Sequence, residues 1–238
     1  MIRGCVCVFA KPPRPGTVKT RLASVLGDEG AAALARAFLL DTWSTATHVP
    51  GMDVVLAATE VEAPEWHPLH AAEVWPQGAG TLGDRLARVL RRALQAHPFA
   101  IAIGTDIPGL PLSRLGDACE ALRTADAVLG PADDGGFYLF GVSTCPHGLL
   151  DSVPWSASDT CARTLERLGQ HHLTTTVIAP WFDVDTPADL DTLRRHIRDG
   201  TIHAPETARL LVEAGLQTGP YLGGSAATES SRAPATDG

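Results

Sequence analysis

Ile2-Arg3-Gly4-Cys5-Val6-Cys7-Val8-Phe9-Ala10-Lys11-Pro12-Pro13-Arg14-Pro15-Gly16-Thr17-Val18-Lys19-Thr20-Arg21-Leu22 changes character at Ala10. Up to that point it is an apolar run crowded with Val6, Val8 and Phe9, the pattern of a strand buried on both faces. It stops at Lys11-Pro12-Pro13, and a Pro/Gly-rich loop carries the chain to about Thr20. A first strand of this kind belongs in a mostly parallel sheet covered by helices, so the expected class is α/β.

The rest of the chain alternates in the same sense. A helix is expected over 29–47, with Asp28 as N-cap and Leu34, Phe38 and Trp43 on it, followed by a strand over 53–58. After a Pro/His-rich loop, a short extended piece over 73–75 leads into a helix on which Leu82, Leu86, Val89, Leu90, Ala93 and Leu94 recur at helical spacing. Strands are expected over 99–103, 127–129, 137–141 and 174–178, with 137–141 the candidate for an antiparallel member. Helices are expected over 111–123, 156–168 and 187–197. The last of these opens at Asp185-Thr186-Pro187, where Thr186 can cap and Pro187 takes the first turn. Residues 1–217 read as one domain. From Thr218 to Gly238 there is almost no large apolar side chain, and a disordered tail is expected.

Composition narrows the function. The chain has 238 residues, 45% hydrophobic and 19% charged, and a formal net charge of -8. That sign argues against general nucleic-acid binding. The average hides a reversal, because Arg3, Lys11, Arg14, Lys19 and Arg21 fall within residues 1–27, which hold no acid. An acidic protein with one basic loop suggests a focused anion site. The five cysteines form no CxxC pair and read as reduced thiols. No stretch approaches the roughly 18 apolar residues of a membrane span, and the expected location is cytoplasmic, with no membrane or nucleic-acid partner.

Five motifs carry candidate chemistry. The first is the basic loop, in which Ala10, Lys11, Gly16, Lys19 and Arg21 sit at the carboxyl end of a parallel strand, where open α/β sheets bind ligands. Polyphosphate is the matching ligand. A Walker A loop is excluded because Val18 stands where glycine must precede the Lys-Thr pair; a solvated basic loop is the plain alternative.

The second motif is Gln77-Gly78-Ala79-Gly80-Thr81-Leu82-Gly83-Asp84-Arg85, which contains GxGxxG. It follows a Trp-Pro segment well into the chain rather than the first strand, which argues against a dinucleotide fingerprint. A turn lying against a base, with Gln77 reading its edge, and a tight turn before a helix both fit. The third is Gly104-Thr105-Asp106, a carboxylate at the end of a central strand and a hard oxygen ligand suited to Mg²⁺; a turn-forming aspartate is the alternative. The fourth is Asp133-Asp134-Gly135-Gly136, either a catalytic acid on a turn open to substrate or a plain hairpin. The fifth is Asp183-Val184-Asp185, two carboxylates two residues apart that point the same way and can share a metal, Asp185 also fitting a helix start.

Taken in order, FAKPPRPGTVKTRL, QGAGTLGDRL, GTDIPGL, GPADDGGFYLFG with WSASDTCARTLERL, and DVDTPADL resemble the DUF2064 family, over about residues 4 to 198. That bacterial group is also called rSAM/selenodomain-associated transferase 1 and is often labelled as glycosyltransferases of arsenosugar biosynthesis. It is similar to the wider nucleotide-diphospho-sugar transferase superfamily, which includes molybdenum-cofactor and phospholactate nucleotidyltransferases.

The resemblance implies a single GT-A (Rossmann-like) domain with a mixed, mostly parallel sheet flanked by helices. It also implies that Lys11, Lys19 and Arg21 contact a triphosphate, Gln77, Gly80 and Leu82 the base, and Asp106 with Asp185 a Mg²⁺ (or Mn²⁺) ion. The chain departs from the family pattern at Phe137, where tyrosine is usual, and at Ala157, where threonine is usual.

The reading that results is nucleotidyl transfer from a nucleoside triphosphate to a small phosphorylated or hydroxyl acceptor with release of pyrophosphate, with Lys19, Arg21, Asp106 and Asp134 as the catalytic set. Transfer from an NDP-sugar and non-catalytic nucleotide binding are the rivals. A homodimer stays open.

Overall fold

The computed structural model describes residues 3–216. Its core is one seven-stranded sheet in the order β3-β2-β1-β4-β6-β5-β7, formed by β1 (Gly4–Ala10), β2 (Met52–Ala58), β3 (Val74–Pro76), β4 (Ala100–Ile103), β5 (Ala127–Pro131), β6 (Phe137–Val142) and β7 (Thr175–Val177). Every pairing is parallel except those of β6, which runs antiparallel between β4 and β5. This is the mixed sheet anticipated from the sequence.

The β1 side chains alternate between two cores. Val6 and Val8 pack with Leu39, Trp43 and Leu115, under α1 (Thr20–Thr47) and α3 (Leu112–Ala121). Cys5 and Cys7 face the other layer with Leu86, Val89, Leu90 and Leu168, under α2 (Leu82–Ala93) and α4 (Thr160–Gln170). Both faces of β1 are therefore fully buried, which is why its sequence shows no alternation of polar and apolar residues. All five cysteines are free thiols. A third cluster, with Leu22, Phe38, Leu193 and Leu211, joins α1 to α5 (Pro187–Arg198) and α6 (Pro205–Glu213).

Three expectations need correction. Helical structure begins at Thr20, inside the stretch read as loop, and is interrupted at Gly27 before the long run to Thr47. The helix expected from Ser156 starts at Thr160, because Ser156 takes a left-handed φ of 61° and the Thr160 hydroxyl is held to the Pro154 and Ala157 carbonyls. Helix α6 was not anticipated. Asp41, buried on α1, accepts the backbone N–H groups of Glu206 and Thr207 and the Thr207 hydroxyl at its start, a distant cap with no local signal. The expected tail over 218–238 lies outside the described residues. Among those residues no helix is long and apolar enough to cross a membrane.

Candidate active site

The sheet order reverses between β1 and β4, and the loops leaving their carboxyl ends open a crevice there. Asp106 follows β4. The segment 183–185 reaches it through the main chain, because the Val184 N–H donates to the Asp106 carbonyl at 2.9 Å. Val184 is fully buried and anchors the strap, while Asp183 and Asp185 on either side both face the crevice.

Lys19 completes the arrangement from the other side. It sits in left-handed backbone (φ 47°) just before α1, and its ammonium lies 2.5 Å from Asp106 Oδ1 and 2.7 Å from Asp185 Oδ1. Its side chain is only 5% exposed. Burial alone would lower the ammonium pKa; the charges of Asp106 and Asp185 and the hydrogen bonds to them outweigh it, so the group titrates above the usual lysine value. Two carboxylate oxygens, which are hard donors, are directed at one buried cation. Among the described residues no group of three or more His, Cys, Asp or Glu is assembled to hold an ion. Asp106 and Asp185 could hold a divalent ion only with further oxygens, such as those of phosphate and water.

The acids share a cavity of about 400 Å³, whose lining includes Asp106, Asp134, Asp183 and Asp185 together with Phe9, Leu82, Leu86, Phe137 and Trp155. The Phe137 and Trp155 rings meet edge to face, 6.1 Å apart. Burial, then the nearby charges of Asp134 and Asp185, push the Asp183 carboxyl up to about 6. Asp134 is exposed at the turn between β5 and β6, where its Oδ1 accepts the Gly136 N–H at 2.7 Å. Gly135 in that turn has φ 88°, and a Cβ there would lie 1.9 Å from the Ser158 carbonyl oxygen. Only glycine lets the acidic turn press so closely against the 156–160 segment.

Residues 41–157 match the family described as "Uncharacterized protein conserved in bacteria (DUF2064)". A phosphoenolpyruvate guanylyltransferase from Mycolicibacterium paratuberculosis (strain ATCC BAA-968 / K-10) is 30% identical over 200 residues, covering 81% of this chain and 88% of the relative. A Desulfovibrio desulfuricans G20 structure assigned to the nucleotide-diphospho-sugar transferases superposes with a TM-score of 0.83 at 30% identity, over 91% of this chain and 97% of that one. The chain belongs to the DUF2064 family. The fold alone extends further. A 4-diphosphocytidyl-2C-methyl-D-erythritol synthase from Anaerococcus prevotii DSM 20548 aligns with a TM-score of 0.55 at 10% identity, over 82% of this chain and 99% of that one. These matches place the DUF2064 chain among the transferases built on the nucleotide-diphospho-sugar transferase fold.

The motifs of this DUF2064 chain occupy different parts of that site. Ala10 ends β1 with its carbonyl turned to Thr59 and Gln77. Lys11 is exposed and arches to the Thr17 carbonyl over the turn that holds Gly16, and Arg21 is exposed in the first turn of α1. Arg14 is committed elsewhere, to Glu60 and Glu65 at 2.8 and 2.7 Å, and anchors the basic loop to the 3-10 helix Pro64–Leu69. The Gln77 amide is buried and donates to the carbonyls of Ala10 and Ala57, so in this conformation it braces the loop rather than presenting its amide to the crevice.

Gly80 (φ 107°) turns the chain into α2, which Thr81 and Asp84 close with a reciprocal capping box. Gly83 is buried under the Trp155 indole and Leu82 reaches the cavity. The aromatic wall was not among the candidate site residues, whereas Asp183 was, as a possible partner of Asp185 on a metal. The period-two spacing of Asp183 and Asp185 was the signal for the former; for Trp155 and Phe137 nothing local distinguishes a wall from a core.

Proposed function

We propose that this transferase is a metal-dependent nucleotidyltransferase, which moves a nucleoside monophosphate from a nucleoside triphosphate to a small acceptor and releases pyrophosphate. The observation that carries the reading is the convergence of Asp106 and Asp185 on one cationic centre at the β1/β4 crevice, beside a loop that offers Lys11, Lys19 and Arg21. The guanylyltransferase relative supports the same class and makes GTP the first nucleotide to try.

Asp106 and Asp185 would hold Mg²⁺ or Mn²⁺, which when bound neutralises phosphate charge and polarises the α-phosphorus. Lys11, Lys19 and Arg21 would bind the triphosphate and take up the charge of the departing pyrophosphate. The acceptor oxygen attacks the α-phosphorus, and the bond to the bridging oxygen of the β-phosphate breaks with its electron pair leaving on pyrophosphate. Where the acceptor is a hydroxyl, Asp134, which lines the cavity, would accept its proton. Catalysis on this account rests on positioning and fixed charge.

A second reading, transfer of a sugar from an NDP-sugar, is favoured by the similarity to the Desulfovibrio protein. Pyrophosphate release separates them. The test is to supply each NTP with Mg²⁺ and a pool of small acceptors, and in parallel UDP- and GDP-sugars with the same pool. Acceptor-dependent pyrophosphate from an NTP supports nucleotidyl transfer; NDP released from a sugar donor, with no pyrophosphate from any NTP, overturns it.

A further inference from the structure

We propose that Gln77 is a positioning residue for the polyphosphate-binding loop, acting through the Ala10 carbonyl, and that it takes no part in selecting the base. This rests on the nucleotidyl-transfer reading above, in which the loop from Lys11 to Lys19 cradles the nucleotide phosphates.

Gln77 directly follows β3 and ties together the carboxyl ends of three parallel strands. Its N–H donates to the Ala58 carbonyl at 2.9 Å, and its side-chain nitrogen donates to the carbonyls of Ala57 at 2.8 Å and Ala10 at 3.1 Å. The residue is only 4% exposed, so these bonds are made away from water, where an unpaired carbonyl is costly. The surroundings match a primary amide. Two carbonyls lie on the side of its nitrogen, and the Arg85 guanidinium faces its oxygen at 3.4 Å.

The Ala10 carbonyl transmits the effect. It accepts the Thr59 N–H at 3.2 Å as well as the Gln77 amide, which occupies both of its lone pairs. That carbonyl shares one planar peptide unit with the Lys11 N–H, so holding it fixes the direction in which the chain leaves the sheet. The far end of the loop is fixed separately, by Lys19 on Asp106 and Asp185. A loop held at both ends before the nucleotide arrives gives up less freedom on binding.

Arg88 supports Gln77 from α2. Its guanidinium donates to the carbonyls of Gln77 and, at 2.9 Å, of Ala79, and a Cβ at Gly78 would lie 2.5 Å from its Nη1. Because Arg88 is exposed, it offers a second handle on Gln77 that leaves the buried amide in place.

The test compares wild type with Gln77→Met, which keeps the length and neutrality of the side chain, and with Arg88→Lys, which keeps the charge but not the fork. Amide hydrogen exchange is measured on the full chain without nucleotide. Affinities for the four NTPs and for inorganic tripolyphosphate, each with Mg²⁺, are measured by isothermal titration. Exchange is expected to quicken over 10–19 in both variants while β4 and α3 keep their protection. Gln77→Met should bind every NTP and tripolyphosphate about tenfold more weakly, the scale of two lost neutral hydrogen bonds. Arg88→Lys should show the same pattern with a smaller loss. A changed ranking among the NTPs with tripolyphosphate unaffected would assign Gln77 to the base and overturn the proposal. Exchange that quickens throughout the chain would overturn it as well, by making Gln77 a general support of the fold. Normal NTP binding by wild type with unaltered loop exchange in both variants sinks only the role of Gln77, whereas a wild-type chain that binds no NTP sinks nucleotidyl transfer and this role with it.

Discussion

The Lys19 ammonium lies 2.7 Å from Asp185 Oδ1, joining residues 166 positions apart in the chain, and the same nitrogen lies 2.5 Å from Asp106. A permanent positive charge thus rests where two carboxylates can receive a divalent ion. Lys19→Met is expected to lower NTP-dependent turnover by about two orders of magnitude, the scale of losing one preorganised donor to developing charge. Without nucleotide, the same variant should bind Mn²⁺ more tightly than wild type, because the ammonium no longer competes for the acids. Paramagnetic titration of Mn²⁺ reads the second effect independently of activity; unchanged Mn²⁺ affinity would remove Lys19 from competition with the metal.

Asp106→Asn and Asp185→Asn should each abolish metal-dependent activity while leaving the melting temperature within a few degrees of wild type. Both side chains are about half exposed, so neither is a core group whose loss must unfold the chain. Full activity in either variant would show that the acid does not hold the metal.

The cations of the basic loop are expected to separate under alanine substitution. Arg14→Ala should leave NTP affinity within about twofold, because its guanidinium is tied to Glu60 and Glu65. Arg21→Ala should weaken it by about tenfold, the scale of one charge-assisted hydrogen bond, with a shallower salt dependence. Isothermal titration at two salt concentrations distinguishes them, and equal losses would mean that Arg14 leaves its partners to reach the phosphates.

Gly135→Ala should destabilise the fold by about 1–3 kcal/mol from the left-handed backbone alone, and more because its Cβ would overlap the Ser158 carbonyl. Urea unfolding measures the loss. A variant as stable as wild type would mean that the β5–β6 turn can withdraw from the 156–160 segment without cost.

Asp41 predicts a pH dependence of stability. Burial raises its pKa above the ordinary 3.8, against the lowering effect of its bonds to Thr207 and Glu206. With the folded value above the unfolded one, its contribution is complete below about 3.8 and is lost as pH rises through the raised value. Between those limits the folded chain binds more protons, so stability falls as pH rises. Comparing urea stability at pH 3.5 and 7 in wild type and Asp41→Asn isolates the effect as a double difference, and an identical pH slope in both proteins would refute it.

Much of this was legible in the sequence, for identifiable reasons. Strand β1 announced itself because burial on both faces leaves no polar position, and the start of α5 because Thr186 caps it and Pro187 takes its first turn, as the structure shows. The acids at 106 and 185 stood out because both follow strand-like or extended segments at crevice positions. What was illegible depends on partners distant in the chain. Helix α6 is capped by Asp41 from 165 residues away, Arg14 is neutralised from across a loop, and Gln77 is spent on main-chain carbonyls. The short helical stretch from Thr20 was hidden behind proline and glycine signals that were correct for the loop but not for where it stops.

The clasp between the Val184 N–H and the Asp106 carbonyl is made of main chain alone. This bond between the two acid-bearing segments does not depend on the side chains at 106, 183 or 185. Point changes at 106, 183 or 185 can alter, remove or restore the chemistry of the crevice without dismantling the scaffold that created it.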